Sequence, residues 1–269
     1  MPPVSVYSTY NLANWQRLDP SGPVALGNIA CLHNFLGGMD EEWFRLVHIE
    51  IEARAAPAVA ALPAAQASAA AGDAAGVRAA LEGIAGALAD MQASLSCMGE
   101  KCDPAIYYSR VRLPMIGWRG NPDLPQGLIY EGCFGGQPQQ LYGATGAQSS
   151  IVPALDAALG IQHDRCSWLA AYLQDMRAHM PPQHRAFVSR LEAGTSLRTA
   201  AEAGPPGLKA AYNDAVAELE KFRSQHKAFA YHYIAKHSKR AEEVKGTGGS
   251  DFMPALQGFR DATTTHLLS

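Results

Sequence analysis

The firmest rhythm in the chain runs through Val77, Leu81, Ile84, Leu88, Met91 and Leu95, whose spacing alternates between four and three residues. That is one apolar face of a helix, and it predicts an amphipathic helix over this stretch. A longer stripe of the same kind passes through Leu208, Tyr212, Ala215, Leu219, Phe222, His226, Phe229 and Tyr233. Upstream, "DEEWFRLVHIEIEARAAPAVAAL" from Asp40 opens with an N-cap candidate and two glutamates, which signal a helix start. Its middle, "VHIEIE", alternates like a strand, but Trp43, Val47 and Ile51 recur four apart and favour helix throughout. The small-residue run "QASAAAGDAAG" reads as the turn after it. Helical patterning returns over 151–179 and again after "MPPQHRAF", where the proline pair opens a new element.

Two regions lack any period. The first forty residues are broken by Pro2, Pro3, Pro20, Pro23 and the Gly37–Gly38 pair, and read as loops with short elements. Residues 113–150 are dense in glycine, proline and polar turn formers, and so long an irregular stretch is usually functional. A glycine-rich segment, "KGTGGSDF" (245–252), separates the long stripe from a last helix ending near Leu268. With no repeat and no linker, the pattern describes one predominantly helical domain over residues 1–269.

Composition narrows the function classes. A formal charge of −3, a pI near 6.3 and no basic block argue against a nucleic-acid partner. The N-terminus has no cationic start followed by an apolar run, and no apolar stretch is long enough to span a bilayer. The five cysteines (Cys31, Cys97, Cys102, Cys133, Cys166) lack CxxC spacing, so reduced structural thiols in a cytoplasmic protein are expected.

Three of the nine histidines crowd into "RSQHKAFAYHYIAKH" (223–237). On a helix two histidines grip one ion when they are three or four residues apart. Here the steps are six and five. His226 and His237 share a face, yet eleven residues at ~1.5 Å each place them roughly 16 Å apart. No two can meet on one ion. A single histidine on an apolar stripe is either a hydrogen-bonded core residue or the axial ligand of a haem, whose porphyrin supplies the equatorial ligands. Only His226 lies on the stripe. His48, His163, His179, His184 and His266 stand in polar or helix-end contexts, where solvation is the default. Arg110 and Arg112, in "YYSRVRLPMIGW", are surface cations or a fork for a carboxylate. "KGTGGSDF" lacks the ending of a phosphate-binding loop and reads as a flexible connector of the kind that serves as a lid.

The segments "LANWQRLDPSGP", "GWRGNPDLPQGLIYEG", "QSSIVPALDAALGI", "LQDMRAHMPPQHRAF", "LEKFRSQH" and "KGTGGSDFMPALQGFRDATTTHLL" together resemble indoleamine 2,3-dioxygenase, collinearly and over nearly the whole chain. The resemblance implies an all-α haem-binding domain like the large domain of that family. It implies haem b as cofactor, L-tryptophan or a related indole and O2 as substrates, and N-formylkynurenine as product. His226 matches the proximal ligand of the haem iron. Arg112 matches the partner of the substrate carboxylate, and Tyr107 and Tyr108 match two aromatic residues near the substrate, usually phenylalanines in the animal enzymes. Ala144, Thr145 and Gly146 match a small-residue segment beside the haem, and Thr247 a mobile-loop threonine near the substrate. Arg223 and Asp156 match a charged pair beneath the haem. No acid–base residue is nominated.

The family carries a further stretch upstream of "PPVSVYSTYNLANW", so the chain is expected to lack the small domain and the distal haem helices. It is then a fragment of a longer two-domain protein, or a short form with an open haem face. A monomer with neither a nucleic-acid nor a membrane partner is expected. The rival functions are a haem enzyme of secondary metabolism acting on a substituted tryptophan, and an inactive haem-binding short form.

Overall fold

The structure is a computed structural model and describes residues 2–163, 168–238, 246–247 and 252–269. The chain is all-α, with a single two-stranded ribbon among the described residues. A five-residue π-turn, Ser8–Leu12, leads into β1 (Trp15–Arg17), which pairs antiparallel with β2 (Ile29–Cys31). Then come α1 (Met39–Ala71) and α2 (Ala74–Ser96), followed by two short pieces, α3 (Met98–Lys101) and α4 (Pro104–Ile106). After the irregular middle the chain forms α5 (Ile151–Leu159), α6 (Trp168–Ala178), α7 (Pro182–Ala193) and α8 (Leu197–Ala203). The long α9 (Pro206–Tyr233) and the closing α10 (Phe252–Thr264) complete the fold.

α1 confirms the helical reading of "VHIEIE" and runs further than expected. The run "QASAAAGDAAG" is mostly helix, because alanine is the best helix former, and the turn shrinks to Gly72 and Asp73. Gly72 takes the left-handed conformation that closes α1, and Asp73 Oδ1 accepts from Gly76 N at 3.0 Å to cap α2. At its other end α1 starts at Met39 without a side-chain cap. Glu41 instead accepts from the backbone N–H groups of Phe35, Leu36 and Gly37 at 2.7–2.9 Å, which folds the entering loop onto the first turn. Pro57 and Pro63 sit inside α1, each removing one backbone hydrogen bond. Tertiary packing offsets the loss: α1 lies along α2, and α2 in turn lies along α9.

The stripe on α2 is buried from end to end, and Leu81 and Leu88 have no exposed surface at all. Each such leucine is worth about 1.5–3 kcal/mol of transfer free energy. On α9, Leu208, Tyr212, Ala215 and Leu219 join the same core, and the Tyr212 hydroxyl donates to Leu159 O at 2.8 Å. The next residues of that stripe, Phe222, His226 and Phe229, are only half-buried. The helical pattern expected over 151–179 is two helices, since Gly160 is left-handed and ends α5. Of the cysteines, Cys31, Cys97, Cys102 and Cys133 are free thiols, and Cys166 lies outside the described residues.

Candidate functional site

The half-buried part of the α9 stripe faces a cavity of about 1230 Å³. α9 contributes Phe222, Arg223, His226, Phe229 and Tyr233, while α10 adds Phe252, Leu256 and Phe259. The N-terminal segment and α1 bring Tyr7, Tyr10, Asn11, Phe44 and His48. Residues from the first 48 positions thus form one wall of this cavity. α1 and α9 both pack on α2, and the space between them widens into the cavity.

On α9, His226 stands between Phe222 and Phe229 on the apolar stripe that lines the cavity. Burial, and then the neighbouring His48, push its pKa down to about 4, so its imidazole is neutral at physiological pH. A neutral imidazole with a free nitrogen is the form that ligates a metal. His232 is exposed, and His237 lies in a 3₁₀ turn beyond the end of α9, stacked on Tyr108 at 5.8 Å.

A charged corner adjoins this wall. Arg223 donates to both oxygens of Asp156, at 2.9 and 2.6 Å, and also bonds Thr263 Oγ1 and Phe259 O. His163 Nε2 bonds Asp156 Oδ2 at 2.8 Å. Burial disfavours the Asp156 carboxylate, but Arg223 and His163 outweigh it and hold its pKa below the usual range. The pair is buried and fixes α5, α9 and α10 around the cavity.

The irregular middle shapes the opposite rim. Segments 115–118 and 141–144 pair through Trp118 N to Leu141 O (2.8 Å) and Ala144 N to Met115 O (3.0 Å). They approach so closely that a Cβ on Gly117 would stand 2.2 Å from Gly143 N, and one on Gly143 only 2.1 Å from Met115 O. Glycine is required at both places. The pairing delivers Ala144, Thr145 and Gly146 to the cavity wall, and Thr247 Oγ1 donates to Ala144 O at 2.6 Å. Apart from Gly246, Thr247 and Phe252, the "KGTGGSDF" segment lies outside the described residues.

Eight residues singled out in the sequence therefore line one cavity: Tyr107, Ala144, Thr145, Gly146, Asp156, Arg223, His226 and Thr247. Tyr108 and Arg112 stand outside its wall. Arg112 is buried, with its guanidinium 4.8 Å over the Tyr108 ring.

The solvated reading of the remaining histidines does not hold. His179 is buried and bonds Asp175 O, His184 bonds Ser150, and His266 bonds Ala262 O and Gln162 N. His48 is the one that matters, since it sits in the interior of α1 and reaches the cavity. The signal that could have found it is its four-residue step from Phe44, which also lines the wall, with the rings 4.5 Å apart. The polar context of His48 in the sequence points to solvation instead.

The walls suit a haem. The cavity exceeds the ~300–1,000 Å³ of an ordinary small-molecule site, so a macrocycle and a substrate can share it. Its lining is mostly aromatic and aliphatic, with one neutral imidazole on α9 and a charged corner beside it. Among the described residues no three His, Cys, Asp or Glu side chains converge on a point, and a haem would ask only one such ligand of the protein, which His226 could supply.

The family model of indoleamine 2,3-dioxygenase matches residues 1–266. The chain belongs to the indoleamine 2,3-dioxygenase family. It is 36% identical to indoleamine 2,3-dioxygenase 1 of Rattus norvegicus over all of its own length and 69% of that protein. Against indoleamine 2,3-dioxygenase 2 of Homo sapiens the identity is 33%, with the same coverage. A protein named myoglobin from Haliotis madaka is 32% identical over 88% of this chain and 64% of its own. As a member of the indoleamine 2,3-dioxygenase family the chain is a haem-dependent dioxygenase. No helix among the described residues is long and apolar enough to cross a membrane.

Proposed function

We propose that the chain opens the indole ring of L-tryptophan with O2 to give N-formylkynurenine, with His226 as the protein's bond to the haem iron. The observation that carries this is a histidine set between Phe222 and Phe229 on the apolar stripe of α9, in the wall of a cavity roomy enough for two guests. Haem, when bound, supplies the activation of oxygen. The chain's own contribution is placement and dryness. Phe222 and Phe229 flank His226 and exclude water from the iron side. Arg223, tied to Asp156, fixes the turn of α9 just before the ligand and the charge beneath it. Tyr107, Ala144, Thr145 and Gly146 bound the space left for the substrate, with Thr247 anchoring the small-residue strip. Orientation against the reacting centre is what such a pocket provides to the rate.

The resemblance gives the substrate carboxylate to Arg112. The residue follows the π-turn Tyr107–Val111 that carries Tyr107 into the wall. Arg112→Lys is expected to leave the haem spectrum intact and to weaken tryptophan binding by about 1.5–3 kcal/mol, because an ammonium cannot reproduce a planar two-donor fork. Unchanged affinity removes this assignment. For His226, the test compares alanine variants of His226, His232 and His237 expressed with haem supplied. Loss of the histidine-ligated spectrum in His226→Ala alone is the expected result, with ring-opened product formed by the parent chain. The relative named myoglobin favours a second reading, in which the chain holds haem without opening an indole. A full haem complement with no product from tryptophan, reductant and oxygen would decide for it.

A further inference from the structure

The haem reading uses one histidine of "RSQHKAFAYHYIAKH" and leaves His237 without a task. A 3₁₀ turn, Ala235–His237, carries it beyond the end of α9. There its ring stacks on Tyr108, with centroids 5.8 Å apart and planes 29° from parallel. The next residue holds the same ring by its edge, since the Tyr108 hydroxyl donates to Ser238 Oγ at 3.4 Å. Tyr107, one position earlier, also meets the end of α9. It lies edge-on to Tyr233 at 5.5 Å, and the Tyr233 hydroxyl is itself tied to Cys102 O at 2.7 Å. The exit of α9 therefore fixes both tyrosines of the π-turn Tyr107–Val111. Their tasks differ. Tyr107 walls the cavity, whereas Tyr108 stands outside that wall and carries the Arg112 guanidinium 4.8 Å over its ring. Arg112 N closes the turn by donating to Tyr107 O at 3.0 Å.

A guanidinium resting on an aromatic face keeps its N–H donors in its own plane, where a carboxylate can take two of them at once. The tilt of the Tyr108 ring thus sets the tilt of the fork. A long side chain already held on a fixed platform also loses less freedom when it binds. We infer that His237 is a positioning residue: through the Tyr108 ring it fixes the plane in which Arg112 presents its donors to the substrate carboxylate. The inference rests on the reading of Arg112 as the partner of that carboxylate, and extends it to a histidine that stands outside the cavity wall.

The test measures binding, with no turnover. Haem-loaded protein is titrated anaerobically with L-tryptophan and with tryptamine, which keeps the indole and the ammonium but lacks the carboxylate. His237→Ala should weaken tryptophan binding by about two- to tenfold, the range of one aromatic pair, and leave tryptamine binding and the haem spectrum as they were. His237→Phe, which restores a stacked ring, should recover the wild-type affinity. In an Arg112→Lys background, which has no planar fork to orient, His237→Ala should cost nothing further. Equal losses for the two compounds in His237→Ala mean a loosened fold, and an additive loss beside Arg112→Lys means a separate route to the substrate. Either result overturns the inference and leaves the Arg112 assignment standing, as does an unchanged tryptophan affinity in His237→Ala. A His237→Phe variant as weak as His237→Ala overturns it too, because stacking is then not the cause. If Arg112→Lys alone binds tryptophan as the wild type does, the Arg112 assignment falls and this inference falls with it.

Discussion

α2 and α9 carry the same apolar rhythm and lie against each other, yet their stripes end differently. On α2 every stripe residue from Val77 to Leu95 is buried against neighbouring side chains. On α9 the stripe is buried as far as Leu219, after which Phe222, His226 and Phe229 face open volume. One stripe is completed by protein and the other is not. A hydrophobic face that runs on past its protein partners marks where a non-protein partner belongs, and the one polar residue on it marks where that partner is held.

The sharpest way to break this comparison is at Asp156, which holds the open half of α9 through Arg223. Asp156→Asn leaves a buried guanidinium without its counter-charge and should destabilise the protein by about 3–5 kcal/mol, read by chemical denaturation. The sign of its pH dependence follows from the lowered carboxyl pKa. The wild-type contribution is complete above the unfolded-state value near ~3.9 and is lost as pH falls through the lower folded-state value. The acid limb of the stability profile should therefore be shallower in the variant.

Next in size is a matched pair of truncations. Leu88→Ala opens a hole in the closed stripe and should cost about 2–5 kcal/mol whether or not haem is present. Phe222→Ala removes a side chain that already borders open space, so the haem-free protein should lose under ~2 kcal/mol. Its main deficit should appear as weaker haem retention. Equal losses in the haem-free protein would mean that the two stripes do not differ as described.

Haem itself should complete the α9 stripe. At a hundredfold excess over its dissociation constant it should add about 2.7 kcal/mol of stability, seen as a rise in Tm that His226→Ala diminishes. The smallest effect belongs to His232, exposed on the same helix. His232→Ala should alter stability by less than ~0.5 kcal/mol and leave the haem spectrum unchanged.

The regular parts of this fold were readable because their signals are local. The steps of Val77–Leu95 and Leu208–Tyr233 are helix geometry written into the chain, and they place His226 on the face that the structure turns to the cavity. The α1–α2 junction was misplaced because alanine suits both a small-residue turn and a helix interior, and only the left-handed Gly72 separates the two. His48 reads as solvated because its context in the sequence is polar, and only the packing of α1 turns it toward the cavity. The pairing of Gly117 with Gly143 was beyond reach of any periodicity, because the reason for each glycine is the backbone of the other. Arg112 shows another limit: the resemblance gives it the substrate carboxylate, but no spacing in the chain shows that its guanidinium lies over the Tyr108 ring.

The brevity of the turn at Gly72–Asp73 also sets an order of assembly. α1 and α2 meet through neighbours in sequence, whereas α2 reaches α9 through contacts such as Gln92 with Glu218, 126 residues apart. Local hairpins close with little loop entropy and form early, while distant pairings come late. The α1–α2 hairpin, already carrying Phe44 and His48, should acquire amide protection first in pulsed hydrogen exchange during refolding. α9 and its His226 should dock afterwards, which makes the cavity the last volume to be enclosed and leaves a window in which a flat, rigid cofactor can enter without any later opening of the finished fold.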